Sequence, residues 1–173
     1  MKNFIVSTLA ASALLVTVAC GGGSSSNTRG GSIDTGSGMV GALNRALQEV
    51  SYSPGGKGFG YKSVTVPASE LNKWAKDNKD TIESTLSKLP AGYVLQITGH
   101  TDSVGPRTAP GDGRRGNVWY SEQRAKAVYN ALRAQGMPAD KLSFKGVADD
   151  LTTSVCGSDE QCQRRVTLQV VEK

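Results

Sequence analysis

The feature that most constrains this chain is a strand-helix-strand unit in its second half with sharp borders. Val94-Leu95-Gln96-Ile97-Thr98 alternates and runs into Gly99, as a strand ending in a turn does. Downstream, Ala125, Val128, Tyr129 and Leu132 recur at the i, i+3, i+4, i+7 spacing of a helix with one buried stripe. Gly136, suited to a left-handed cap, Met137, placed to touch Leu132, and Pro138 beyond them form a strong helix stop. Leu142, Phe144 and Gly146 then alternate as another strand. Strands separated by a helix require a crossover, which predicts at least partly parallel pairing and puts ligand-binding groups at the strand ends.

The rest of the chain extends this pattern. Met39, Leu43, Leu47 and Val50 predict a short amphipathic helix, Ser53 to Gly60 a glycine-rich loop, and Tyr61 to Val66 a first strand. Leu71, Trp74, Ala75, Ile82, Leu86 and Leu89 line one face of a long helix that Pro90 stops, with a candidate break at Asn78 to Asp80. Val166, Leu168 and Val170 alternate with Arg165, Thr167 and Gln169, a last strand with one wet face. The expected class is α/β, an α+β sandwich.

Two opposite charges flank the connection after the Val94 strand. Asp102 lies just past the strand end, and Ser121 is positioned to cap the next helix, which places Arg124 in its first turn. An arginine at a helix N-terminus forgoes roughly 0.3 to 1 kcal/mol that an acid would gain, so the placement points to function. A guanidinium, free backbone N–H groups and the helix dipole make a carboxylate receptor, while Asp102 suits an ammonium group. The ligand this predicts is a small zwitterion.

These residues resemble the OmpA-like peptidoglycan-binding domain family of OmpA, Pal and MotB. The family pattern, roughly G-[HYN]-T-D-x-x-G, then N-x-x-L-S-x-x-R-A, then N-R-R-V, is met here by Gly99 to Gly105, Asn117 to Ala125, and Gln163-Arg164-Arg165-Val166. The resemblance spans residues 60 to 171 and implies a β-α-β-α-β-β domain with a mixed sheet of about four strands packed on helices. It also implies that Asp102 and Arg124 hold the amino and carboxylate groups of diaminopimelate in the peptidoglycan stem peptide, with Thr101, Asn117 and Ser121 as further site residues. Tyr120 stands where Leu is usual and Gln163 where Asn is usual. The loop from Ser103 to Gly116 is longer than the family's, and its Arg107, Arg114 and Arg115 receive no role. His100 is read as structural.

The N-terminus points outward independently. Lys2, an apolar run from Phe4 to Ala19 and then Cys20 form an export signal too short to span a membrane stably. Val18-Ala19-Cys20 resembles a lipoprotein signal that leaves Cys20 acylated, although Thr17 stands where Leu is usual. Gly21 to Gly38 is mostly Gly, Ser and Thr, a tether with a root-mean-square span of roughly 23 Å and a full reach of about 60 Å. The expected organisation is a signal at 1–19, a lipidated Cys20 with its tether at 20–38, a leading helix and loop at 39–60, and the binding domain at 61–173. Gly21 after the cysteine resembles outer-membrane sorting, with the domain facing the periplasm.

Composition closes off other classes. The formal charge of +5 falls by one with removal of Lys2, a mild excess that suits an anionic wall polymer. The basic residues are scattered and the aromatics do not interleave with them, so nucleic acid is not an expected partner. In an exported chain, Cys156 and Cys162 predict a local disulfide. No cofactor is expected. No metal site is either, since the only histidine, His100, would need distant partners. A hydrolase built from His100, Asp102 and Ser103 or Ser121 would lack a nucleophile elbow and an oxyanion loop, so no enzyme is expected. The alternative to wall binding is a scaffold for other envelope proteins in which the wall site is degenerate.

Overall fold

The structure, a computed structural model, describes residues 35–173. The signal, Cys20 and the tether as far as Asp34 lie outside the described residues.

Helix α1 runs Thr35–Ala46, so Thr35 to Gly38, read above as the tether's end, is helical. Strand β1 is the two-residue Ser51–Tyr52. The long helix expected before Pro90 is two, α2 (Ala68–Asp77) and α3 (Lys79–Ser87), broken at Asn78. Next come β2 (Tyr93–Gly99), α4 (Asn117–Ala134), β3 (Leu142–Gly146), a four-residue α5 (Glu160–Gln163) and β4 (Val166–Glu172). The sheet order is β1-β4-β2-β3, with β2 parallel to β3 and antiparallel to β4. This is the mixed four-stranded α+β architecture that the resemblance implies.

The expected first strand at Tyr61 to Val66 is irregular backbone. The open edge of β4 is taken by β1, whose Ser51 and Tyr52 face Thr167 and Val166. Lys62, at φ +50, breaks extended geometry inside the segment. The 39–60 stretch, set apart from the domain above, shares its core: Leu43, Leu47, Val50, Tyr52 and Phe59 are buried with Leu95, Ile97, Val128 and Leu132. Asn44 ties α1 to β4 with two bonds, Nδ2 donating to Val170 O and Oδ1 accepting from Val170 N.

Two glycines fix α4 on the sheet. Gly99 and Gly146 face each other across the parallel pair at the ends of β2 and β3. A Cβ on Gly99 would lie 1.9 Å from Ser121 O, and one on Gly146 would lie 2.4 Å from Ser121 Oγ and Glu122 N. Only bare backbone lets the helix descend this close. At the far end, Gly136 has φ +91, its N–H reaches Arg133 O, and Met137 N–H reaches Leu132 O, the double bond of a Schellman motif. The stop read from Gly136 to Pro138 ends α4 as predicted.

Candidate functional site

Helix α4 begins at Asn117 rather than at Ser121, and this changes the logic of the site. Its first amides are capped by the preceding loop, Asn117 N–H donating to Pro106 O (2.9 Å) and Val118 N–H to Arg107 O (3.0 Å). These amides are therefore not free for a ligand. Ser121 is not a cap either. It is fully buried, its Oγ donating to Val118 O (2.9 Å) and accepting from Ala148 N–H (3.0 Å), which pins α4 to the turn after β3.

Arg124 consequently stands two turns into α4, away from the positive end of the dipole, and the expected electrostatic penalty does not arise. It is 1 % exposed. Nε donates to Ser63 O (3.0 Å), Nη1 to His100 O (3.0 Å) and Nη2 to Gly60 O (3.3 Å). The guanidinium also lies over the Phe59 ring, 4.9 Å from its centre. Burial, and after it the charge of Arg164, lowers its pKa to about 10, with Asp102 and Tyr120 opposing, so it remains cationic at neutral pH. Three of its five N–H groups are committed to carbonyls.

Asp102, 3 % exposed, is paired with a residue to which sequence reasoning assigns no role. Its Oδ2 accepts from Arg164 Nη1, and its Oδ1 accepts from Val104 N–H (3.1 Å) in an Asx turn. Arg164, 8 % exposed, donates from Nε to Phe59 O (2.6 Å). A sequence signal for it exists. Arg164 shares the odd-even phase of Val166, Leu168 and Val170, whose side chains point into the core.

Around these charges lies a narrow cleft, and Asp102, Arg124, Arg164, Thr101 and Asn117 all line it. Asn117 Nδ2 holds the turn by donating to Asp102 O and Val104 O, each at 3.2 Å. Thr101 Oγ1 is buried without a protein partner. Of the proposed site residues, Ser121 alone does not reach the cleft. Tyr61, Lys62, Arg115 and Tyr120 also line it, so the cleft carries more positive than negative charge. Of the long loop, Arg115 faces the site, whereas Arg107 pairs with Asp150 (2.6 and 2.7 Å) and Arg114 with Asp112. Gln163 uses its amide twice on Thr153, Nε2 to Thr153 O (2.9 Å) and Oε1 from Thr153 N–H (3.0 Å).

The His100 side chain bonds to Thr167 and to neither serine of the imagined hydrolase set. Its Nε2 lies 2.8 Å from Thr167 Oγ1, while Nδ1 is buried and unpartnered. Burial, helped by Arg165, lowers its pKa to about 4. Cys156 and Cys162 are disulfide-bonded, with Cα atoms 5.4 Å apart. Among the described residues, no group of three or more His, Cys, Asp or Glu side chains gathers as a metal site.

A mixed sheet with a charged cleft at the ends of its central strands defines the OmpA-like class of α+β domain. The OmpA family model matches residues 68–165, more than half of the chain, and the chain belongs to that family. Outer membrane protein A of Serratia odorifera is 33% identical over 91 residues, covering 51% of this chain and 35% of that protein. This chain thus spans about a third of the length of that relative. The peptidoglycan-associated lipoprotein of Burkholderia pseudomallei superposes with a TM-score of 0.52 at 16% identity, covering 73% of this chain and 99% of that one. A putative MotB-like protein of Desulfovibrio vulgaris gives 0.51 at 16% identity, covering 82% and 96%. These two share the fold.

Proposed function

We propose that this protein binds peptidoglycan non-covalently, receiving the diaminopimelate of the stem peptide in the Asp102–Arg124 cleft. As a lipoprotein held through Cys20, it would tether the outer membrane to the cell wall from the periplasmic side. The observation that carries the binding reading is the convergence of two guanidiniums, Arg124 and Arg164, and one carboxylate, Asp102, on a single cleft in an OmpA-family domain. The ligand carboxylate meets the N–H groups that Arg124 and Arg164 do not spend on carbonyls or on Asp102. Its ammonium meets Asp102, whose oxygens keep lone pairs beyond those given to Arg164 and Val104. Thr101 Oγ1 offers one more polar contact, and Asn117 keeps the Asp102 turn in shape.

The envelope setting rests on the sequence. The apolar run before Cys20 and the Gly/Ser tether after it suit a lipidated, exported domain, and the Burkholderia relative of the same fold is by name a peptidoglycan-associated lipoprotein. The partners are then peptidoglycan, the membrane through the lipid, and other envelope proteins. The role is binding rather than catalysis.

Co-sedimentation of residues 35–173 with purified sacculi tests the site. Asp102→Asn removes the ammonium partner, and Arg124→Lys keeps a charge while losing the planar fork. Both should cut retention at least tenfold, and free diaminopimelate should compete with the wild type. Retention unchanged in both variants would overturn the proposal. Loss of membrane association on Cys20→Ser in the full chain tests the anchor.

A further inference from the structure

The cleft just described continues into a second one on its Lys62 side. This neighbour has a volume of about 260 Å³ and is lined by Lys62, Pro106, Gly113, Arg114, Arg115 and Tyr120, three cations and no carboxylate. Lys62, Pro106, Arg115 and Tyr120 belong to both walls, so one groove joins the two.

The three cations differ in how they are used. Arg114 is neutralised by Asp112, with contacts of 2.6 and 2.7 Å. Arg115 instead lies over the Trp119 ring at 5.2 Å and Lys62 over the Tyr61 ring at 5.2 Å. A ring face holds a cation in place without cancelling its charge.

Lys62 is also held where its backbone is disfavoured. Ser63 N–H bonds to Gly60 O (3.0 Å), closing a turn in which Lys62 is the third residue at φ +50, a position that glycine or asparagine fills most easily. The turn is kept closed by Arg124, which grips the carbonyls of both Gly60 and Ser63. A clamped, left-handed lysine lining a cleft with no acid of its own is an outlier that points to a ligand.

We propose that this second cleft binds a second carboxylate of the same peptide ligand, on the residue next to the diamino acid, through Lys62 and Arg115. The inference rests on the proposed reading of the first cleft. It makes the long loop, which supplies Arg115, a determinant of which acidic stem peptides are held.

The test measures dissociation constants for diaminopimelate, for the tripeptide L-Ala-γ-D-Glu-diaminopimelate, and for the same tripeptide with the glutamate α-carboxylate amidated. The wild type should bind the acid about fivefold more tightly than the amide, the scale of one partly exposed ion pair. Lys62→Gly and Arg115→Gln should bring that ratio close to one, while Asp102→Asn weakens both peptides and preserves it. Lys62→Gly relieves the left-handed backbone, so its melting temperature should equal or exceed the wild type's, separating lost recognition from lost folding. A wild-type ratio near one, or a ratio that survives in both variants, overturns the second site alone. Failure of all three ligands to bind overturns the first-cleft reading and this inference with it.

Discussion

Asp102 and Arg164 form a buried ion pair although 62 positions separate them in the chain, joining the turn after β2 to the residue two before β4. The pair fixes the geometry of the cleft. Arg164 also donates to Phe59 O, so one guanidinium ties together three segments that are remote in sequence. Replacing Arg164 by Met would strand a carboxylate that is 3 % exposed. Breaking such a pair from one side costs about 3 kcal/mol, because the remaining charge stays desolvated. Urea denaturation at pH 7 should show that loss, and a change below about 1 kcal/mol would mean that water solvates Asp102.

What the sequence discloses and what it hides divides along a physical line. The β2–α4–β3 unit, the Gly136 stop and β4 are legible because periodicity and capping are local, and each borders on a residue of fixed conformational meaning. Asp102 and Arg124 are legible through motif spacing. Remote satisfaction of backbone groups is not. The start of α4 is set by carbonyls of Pro106 and Arg107, so Ser121, which has the right chemistry for a cap, misleads. Tyr61 to Val66 alternates like a strand, but the edge it would need is held by a two-residue β1 too short to leave a pattern. The carbonyls of Gly60, Ser63 and His100 that hold Arg124 carry no side-chain signature at all.

Gly99 carries a steric prediction. Any Cβ there meets the Ser121 carbonyl at 1.9 Å, and the obstacle is helix backbone rather than a side chain that can swing away. Gly99→Ala must therefore lift α4 off β2, displacing Arg124 from His100 O. Overpacking of this kind costs about 3 kcal/mol or more. Thermal unfolding should reveal a large drop or no cooperative transition, whereas Gly92→Ala, which meets nothing within 4 Å, should perturb only through its φ of +83.

His100 predicts how stability depends on pH. Its folded pKa of about 4 lies below the usual value of 6.5, because burial and the nearby Arg165 penalise the imidazolium. Between those two values the unfolded chain binds more protons than the folded one, so stability is complete above about pH 6.5 and declines as pH falls toward 4. At pH 4.5 the loss relative to pH 7 should be about 2 kcal/mol. His100→Gln, which keeps a hydrogen-bonding group for Thr167 but does not titrate, should show a shallower decline. Equal slopes for both proteins in urea titrations across this range would rule out His100 as the source.

The Cys156–Cys162 disulfide closes a six-residue separation, for which loop entropy alone predicts about 2 kcal/mol of stabilisation through the unfolded chain. Its position predicts something further. Cys162 is followed directly by Gln163, which grips Thr153 through two bonds, and by Arg164, which pairs with Asp102. Asp159 Oδ1 accepts from the N–H groups of Gln161 and Cys162 and so caps the short α5, which carries Cys162. Reduction should then do more than lower global stability by about 2 kcal/mol. It should raise amide exchange locally at Gly157 and Gln161 to Arg164, while the amides of α4 slow or quicken only with global unfolding. A uniform rise across the domain on reduction would show that the bond acts on the unfolded chain alone and does not brace Arg164 at the cleft.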